Sequence, residues 1–128
     1  MPLRTVLFFR CLVFSLQHPL HRDLQIAFQN GEAIGSIDLS MIGEGSAELG
    51  FLLRPDCWGR GLASEAVGAV IQHGFDTLGL TRLAAAVQTA NLAAARVLEK
   101  NRFLRIENRA VTLASGEKRD CAFYLLKH

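Results

Sequence analysis

The segment Leu52-Leu53-Arg54-Pro55-Asp56-Cys57-Trp58-Gly59-Arg60-Gly61-Leu62-Ala63-Ser64-Glu65-Ala66 is where the hydrophobic pattern of the chain changes period. Ahead of it, Glu48 to Leu53 is a short apolar run of strand type. A Pro/Asp break and a Gly-x-Gly turn follow, and from Ala63 the sequence turns helix-forming. Strand, glycine turn and helix start in succession aim several unpaired backbone N–H groups at one point, with the positive end of the helix dipole behind them. Such a nest binds an anion, most often a phosphate. A plain connection whose glycines close a tight turn accounts for the same residues. The rest of the chain has to decide between the two.

Downstream, Ala66, Val67, Val70, Ile71, Gly74, Phe75 and Leu78 recur at three- and four-residue steps. That spacing predicts one helix from Ala63 to Leu78, with Gly79 as its stop. Arg82 to Gln88 reads as a short buried strand. Asn91 is a good N-cap for a second helix ending near Lys100. Arg102 to Glu107 and Cys121 to Leu126 read as strands, separated by a stretch with a turn at Ser115-Gly116-Glu117. Upstream, Ala47 to Leu53 is preceded by the turn Gly43-Glu44-Gly45-Ser46. The strand Ala33 to Leu39 pairs back through Asn30-Gly31, a strong hairpin signal, onto Leu24 to Gln29. Gln17 to Asp23 is polar and reads as a loop. The resulting order, β-β-β-α-β-α-β-β after an apolar start, predicts an α/β (α+β) fold with a mostly antiparallel central sheet flanked by helices.

With 128 residues, half of them hydrophobic, the chain has room for a single domain and one core. Its formal net charge is +2, from 14 basic and 12 acidic residues without a basic run, so neither nucleic acid nor an acidic membrane is called for. Cys11, Cys57 and Cys121 make no paired or zinc-like spacing with each other or with the four histidines. The expectation is therefore no metal, small buried or free thiols, and a reducing, cytoplasmic compartment. Leu3 to Leu16 (LRTVLFFRCLVFSL) is too short for a bilayer span and is interrupted by Arg4 and Arg10. Ser15-Leu16-Gln17 makes a poor cleavage site for a signal peptide. A buried strand or an interface segment is the better reading.

Two blocks, ELGFLLRPDCWGRGLASEAV and LGLTRLAAAVQTANLAAARVLEKNRF, resemble the GNAT superfamily of acetyl-CoA-dependent N-acetyltransferases. In style they are closest to the branch of the ribosomal-protein N-terminal acetyltransferases. The resemblance runs from about Leu24 to the C-terminus. The family signature Gln/Arg-x-x-Gly-x-Gly/Ala reads here Trp58-Gly59-Arg60-Gly61-Leu62-Ala63, with Trp at the first place. The resemblance implies that backbone amides from Trp58 to Ala63 (Trp58, Gly59, Arg60, Gly61, Leu62 and Ala63) and the Ser64 hydroxyl hold the pyrophosphate of acetyl-CoA. It implies that Phe51, Leu52 and Leu53 splay from the next strand and meet the pantetheine arm and thioester carbonyl. Asn91 corresponds to the family Asn that reaches the pantetheine, beside its role as a cap. Arg60 is either a phosphate contact or a solvated arginine.

The implied chemistry is direct attack of a primary amine, a protein N-terminus or a small amine, on the acetyl thioester. Three positions depart from the family. Ala84 stands where some relatives carry a Glu base, Ala94 where a Ser is common, and Leu98 where other branches place a Tyr acid. Glu48 is the remaining carboxylate in a family-like place, either a base acting through water or a surface charge. Tyr124 reads as structural filling, and His73 as a surface or packing residue. Relatives open with a strand and one or two helices that wall the acceptor site. Residues 1–23 show no helical period, so that wall is expected to be absent, replaced, or supplied by a second copy docking through Leu3 to Leu16; a mis-started reading frame would look the same. A non-catalytic acyl-CoA-binding module is the alternative reading.

Overall fold

The computed structural model describes residues 31–57, 59 and 61–128 with their side chains, together with the backbone strands β1 (Leu3–Leu7), β2 (Leu12–His18) and β3 (Arg22–Gln29). Then come β4 (Glu32–Gly43), β5 (Ser46–Leu53), a 3-10 turn (Pro55–Cys57) and α1 (Leu62–Asp76). The chain continues as β6 (Arg82–Gln88), α2 (Leu92–Lys100), β7 (Leu104–Thr112) and β8 (Lys118–Lys127). They form one eight-stranded sheet in the order β1-β2-β3-β4-β5-β6-β8-β7. All neighbours are antiparallel except β5 and β6, which α1 connects as a parallel crossover.

Inter-strand register places Leu39, Leu49, Ala47, Leu83, Ala85 and Tyr124 on one face of the sheet. All six are buried. Gly74 of α1 packs beside the Leu39 methyl, and the Tyr124 hydroxyl reaches Glu99 of α2, so both helices cover this same face. Leu62, Val67, Val70 and Ile71 of α1 complete the core. Each contributes about 1.5–3 kcal/mol by leaving water. The opposite face carries Asp38, Ser40, Glu48 and Leu52; Leu52 is 72% exposed.

Ile34, Ile37 and Leu39 all point inward although Ile34 and Ile37 are three residues apart, which a period of two forbids. A bulge resolves this: Ala27 pairs with Gly35 and Phe28 with Ala33, leaving Ile34 as the extra residue. At the same level Gly35 admits the carbonyl of Leu52; a Cβ there would lie 2.3 Å from that oxygen.

Several boundaries differ from expectation. Within Leu3 to Leu16, Leu3–Leu7 pairs with Leu12–Leu16 as two strands, and Gln17 pairs with Asp23 inside the β2–β3 ladder rather than in a loop. Ladder formation is a backbone property, and polar residues join it readily at strand ends. The β7–β8 hairpin is longer than the apolar pattern predicts. All of β7 except Val111 is exposed, so no inward face advertises the strand. Arg102 belongs to the end of α2 instead of a strand. Its φ is 68°, and the bonds Arg102 N–H to Glu99 O and Phe103 N–H to Leu98 O form a Schellman closure, with Phe103 buried beyond it.

Candidate functional site

The site is organised by a short ladder. Thr81 and Arg82 both donate their N–H groups to Gly45 O, which pins the starts of β5 and β6 together. Three parallel pairs follow, Ser46–Arg82, Ala47–Leu83 and Glu48–Ala84. Beyond them β5 stays with β4 as far as Leu53 and Gly35, while β6 stays with β8 as far as Gln88 and Cys121. The two strands therefore part, and the backbone of Phe51, Leu52 and Leu53 borders a gap in the sheet.

The chain leaving β5 is braced before it reaches the glycine turn. The Arg54 guanidinium donates to both Asp56 oxygens, at 2.7 and 3.0 Å, and to Glu32 at the start of β4. Arg54 N–H donates to Ile34 O, and Cys57 N–H to Arg54 O, closing the 3-10 turn. The hydrogen bond from Arg54 holds the Asp56 carboxyl below its ordinary range, and Asp56 in turn raises the guanidinium. Gly59 and Gly61 are both left-handed, with φ of 72° and 74°. Gly61 is the N-cap of α1 and accepts from Glu65 N–H without any side-chain cap, so the first amides of the helix have no side-chain partner from the cap residue. Trp58 and Arg60 lie outside the described residues.

Opposite this turn stands α2. Asn91 caps it, its Oδ1 accepting from Ala94 N–H at 3.1 Å, which leaves the amide nitrogen as the donor able to meet a ligand. At the far end Asn101 donates from Nδ2 to Val97 O and Ser64 O, at 2.9 and 3.2 Å, and lies 3.4 Å from Ser64 Oγ. This carboxamide ties the end of α2 to the first turn of α1. Gly68 makes room for it, since a Cβ there would sit 2.8 Å from Asn101 Oδ1.

Between these elements lies an open cavity of about 330 Å³. Phe51, Leu52 and Leu53 border it, Gly59, Gly61, Leu62, Ala63 and Ser64 form one end, and Asn91, Ala94 and Val97 form the far wall. The structure thus gathers every described residue expected to meet the coenzyme around one space. Sequence reasoning missed Arg96 and Lys100 of α2, which line it too. Their four-residue spacing on the Asn91 helix is the signal that could have shown them.

Glu48 is not in the cavity wall. It is exposed on the face away from the helices, in the last rung before β5 and β6 part. Its partner in that rung is Ala84, so no second proton-exchanging side chain comes from β6 there. Ala94 is in the cavity wall, and Leu98 is fully buried in the core. Tyr124 is 1% exposed; burial raises its phenol, which makes a long hydrogen bond of 3.4 Å to Glu99. It borders a smaller cavity on the other side of α2. His73 is buried on α1, as a packing residue is. Among the described residues no group of His, Cys, Asp and Glu is arranged to hold a metal ion, and no helix is long and apolar enough to cross a membrane.

A parting pair of parallel strands, a left-handed glycine turn at a helix start and a cavity walled by a second helix define the class of this α/β fold. Comparison with known proteins makes the class specific. Residues 8–104 match the family model described as an acetyltransferase (GNAT) domain, and the chain belongs to that family. The match begins upstream of Leu24, where the resemblance was expected to start. An uncharacterized N-acetyltransferase, p20, of Bacillus licheniformis is 36% identical over 91 residues, covering 70% of this chain and 51% of the relative. The human alpha/beta-tubulin-N-acetyltransferase 9 is 34% identical over 74 residues, 58% of this chain and 35% of the relative. The chain spans about half the length, or less, of these relatives. Among solved structures, a spermidine N-acetyltransferase mutant from Vibrio cholerae superposes with a TM-score of 0.76 at 19% identity, over 86% of this chain and 66% of that one. A GNAT-family acetyltransferase from Bacillus anthracis gives 0.72 at 26% identity, over 84% and 66%.

Proposed function

We propose that this chain moves an acetyl group from acetyl-CoA to a primary amine, a protein N-terminus or a small amine. The observation that carries the reading is the cavity at the parting of β5 and β6. One end offers the amides of Gly59 and of Gly61 to Ser64 for a pyrophosphate, and the other offers backbone of Phe51 to Leu53 to a thioester. Asn91 lines the same cavity from the start of α2. In this reading a backbone N–H at the gap steadies the oxyanion as the amine attacks the thioester carbon. The carbon–sulfur bond then breaks, and the leaving thiolate takes up a proton. Glu48, at the edge of the gap on the open face, receives the amine proton through water or holds the amine's charge. Cytoplasmic residence fits the free, buried thiols Cys57 and Cys121. A homodimer through residues 3–16 belongs to this reading; a monomer at micromolar concentration in sizing experiments removes that idea.

Ala84, Ala94 and Leu98 favour one competing reading, an acyl-CoA-binding module without turnover, because none of them exchanges a proton. An acetyl-CoA titration together with thiol release across a panel of amines separates the two. Binding with release on at least one amine supports the transferase; binding without release on any amine leaves the module; no binding sinks both. Gly61→Glu should abolish binding, because a side chain and a negative charge enter the nest. Glu48→Gln should leave binding intact and lower turnover, and unchanged kinetics would return Glu48 to the surface.

A further inference from the structure

We propose that Lys100, with Arg96 one turn before it, grips the 3′-phosphate monoester of coenzyme A and makes the cavity select the fully phosphorylated coenzyme over its 3′-dephospho form. The inference rests on the coenzyme reading above but concerns residues that reading does not use.

The cavity is chemically polarised along its length. At the strand gap its wall is apolar, made of Phe51, Leu53 and Ala94. At the glycine turn it holds amides and the Ser64 hydroxyl, two cationic side chains line it from α2, and no described residue of the wall is a carboxylate. Neither Arg96 nor Lys100 forms an ion pair with another described residue. Two cations without an ion pair among the described residues thus share a cavity wall with the positive end of the α1 dipole, an arrangement that favours a polyanion.

The position of Lys100 follows from its neighbour. Asn101 is bonded to Ser64, so Lys100 is anchored next to the first turn of α1, at the phosphate end of the cavity. On α2, Val97 and Lys100 face this cavity, Leu92, Ala95 and Glu99 face the smaller one, and Arg96 borders both from the crest between them. The charges of the ligand divide in the same way. The pyrophosphate spreads two single charges over oxygens that backbone amides can reach in fixed geometry. The monoester is close to a dianion at neutral pH and suits a compact ammonium beside a guanidinium fork. The nest therefore takes the pyrophosphate and the α2 cations take the monoester.

The test is equilibrium binding of coenzyme A and 3′-dephospho-coenzyme A to the full chain and to Lys100→Gln, Arg96→Gln and the double variant. Both side chains are exposed, so folding is checked by circular dichroism, and Lys100→Arg serves as the conservative control. The unaltered chain should prefer coenzyme A by about tenfold or more, a size expected of charge-assisted contacts in a partly open site. The double variant should lose most of that preference while its affinity for the dephospho form changes by less than about twofold, and Lys100→Arg should keep the preference. Equal binding of the two ligands by the unaltered chain would overturn the proposal. So would an equal loss for both ligands in the variants, which would put the cations on the pyrophosphate. Failure of the unaltered chain to bind either ligand would overturn the coenzyme reading itself and this proposal with it.

Discussion

Asn101→Ala and Gly68→Ala should interact strongly, and their coupling tests how the two helices that flank the cavity are held together. The Asn101 Nδ2 has two hydrogens and three acceptors within reach, Val97 O, Ser64 O and Ser64 Oγ. Two net hydrogen bonds in a part-buried setting are worth about 1–3 kcal/mol. Asn101→Ala removes them and should destabilise the fold by that amount, roughly 4–11 °C in melting temperature for a domain of this size. Gly68→Ala alone gains about 1 kcal/mol of helix propensity but drives a methyl to 2.8 Å from Asn101 Oδ1, displacing the carboxamide. The two effects nearly cancel or leave a net loss of about 1–2 kcal/mol. Once Asn101 is alanine the clash is gone, and Gly68→Ala should then stabilise by about 0.5–1 kcal/mol. The same change is thus harmful or neutral in one background and helpful in the other, with a coupling energy of about 1–3 kcal/mol. Urea unfolding of the four proteins measures it, and acetyl-CoA titration of the same four reports whether the cavity loosens with the clamp. Additivity within about 0.5 kcal/mol would refute the clamp, because independent sites add to that accuracy.

Other positions give sharper single tests. Gly35→Ala forces a methyl toward the carbonyl of Leu52, 2.3 Å away, and should cost about 1–3 kcal/mol in chemical denaturation while weakening acetyl-CoA binding through displaced β5; a stability within 0.5 kcal/mol of the original would contradict the close approach. Arg102→Gly relieves a left-handed non-glycine residue and should raise stability by about 0.5–1 kcal/mol, with no gain if the Schellman closure does not form in solution. Tyr124 is the only tyrosine, so ultraviolet titration reads it alone. Burial raises its pKa above the ordinary 10.0, so the folded protein keeps the proton that the unfolded chain releases. Stability should therefore fall as pH rises from about 10 upward, and a phenol titrating at its ordinary value in the folded protein would show that Tyr124 is solvated.

The sequence by itself determined the element order from Leu24 onward, the glycine turn at a helix start and the Asn91 cap. These are local properties: a period of two or of 3.6, a residue tolerant of positive φ, a side chain that bonds its own backbone. Only the strand partner shows that Ile34 is a bulge. The extent of β7 and the pairing of residues 3–18 were not readable. An exposed edge strand has no inward face to reveal it, and polar residues at strand ends give no apolar alternation.

Tertiary structure alone decided the shape of the site. The parting of β5 and β6 after Glu48 depends on which strand each keeps as its other neighbour; the family resemblance implied it, but the local pattern of the two strands does not. Local pattern is equally silent on Asn101 reaching Ser64 across 37 residues, and on Lys100 lining the same cavity as the glycine turn. Such contacts are fixed by how two helices pack on one face of a sheet, a long-range property that local sequence pattern does not carry.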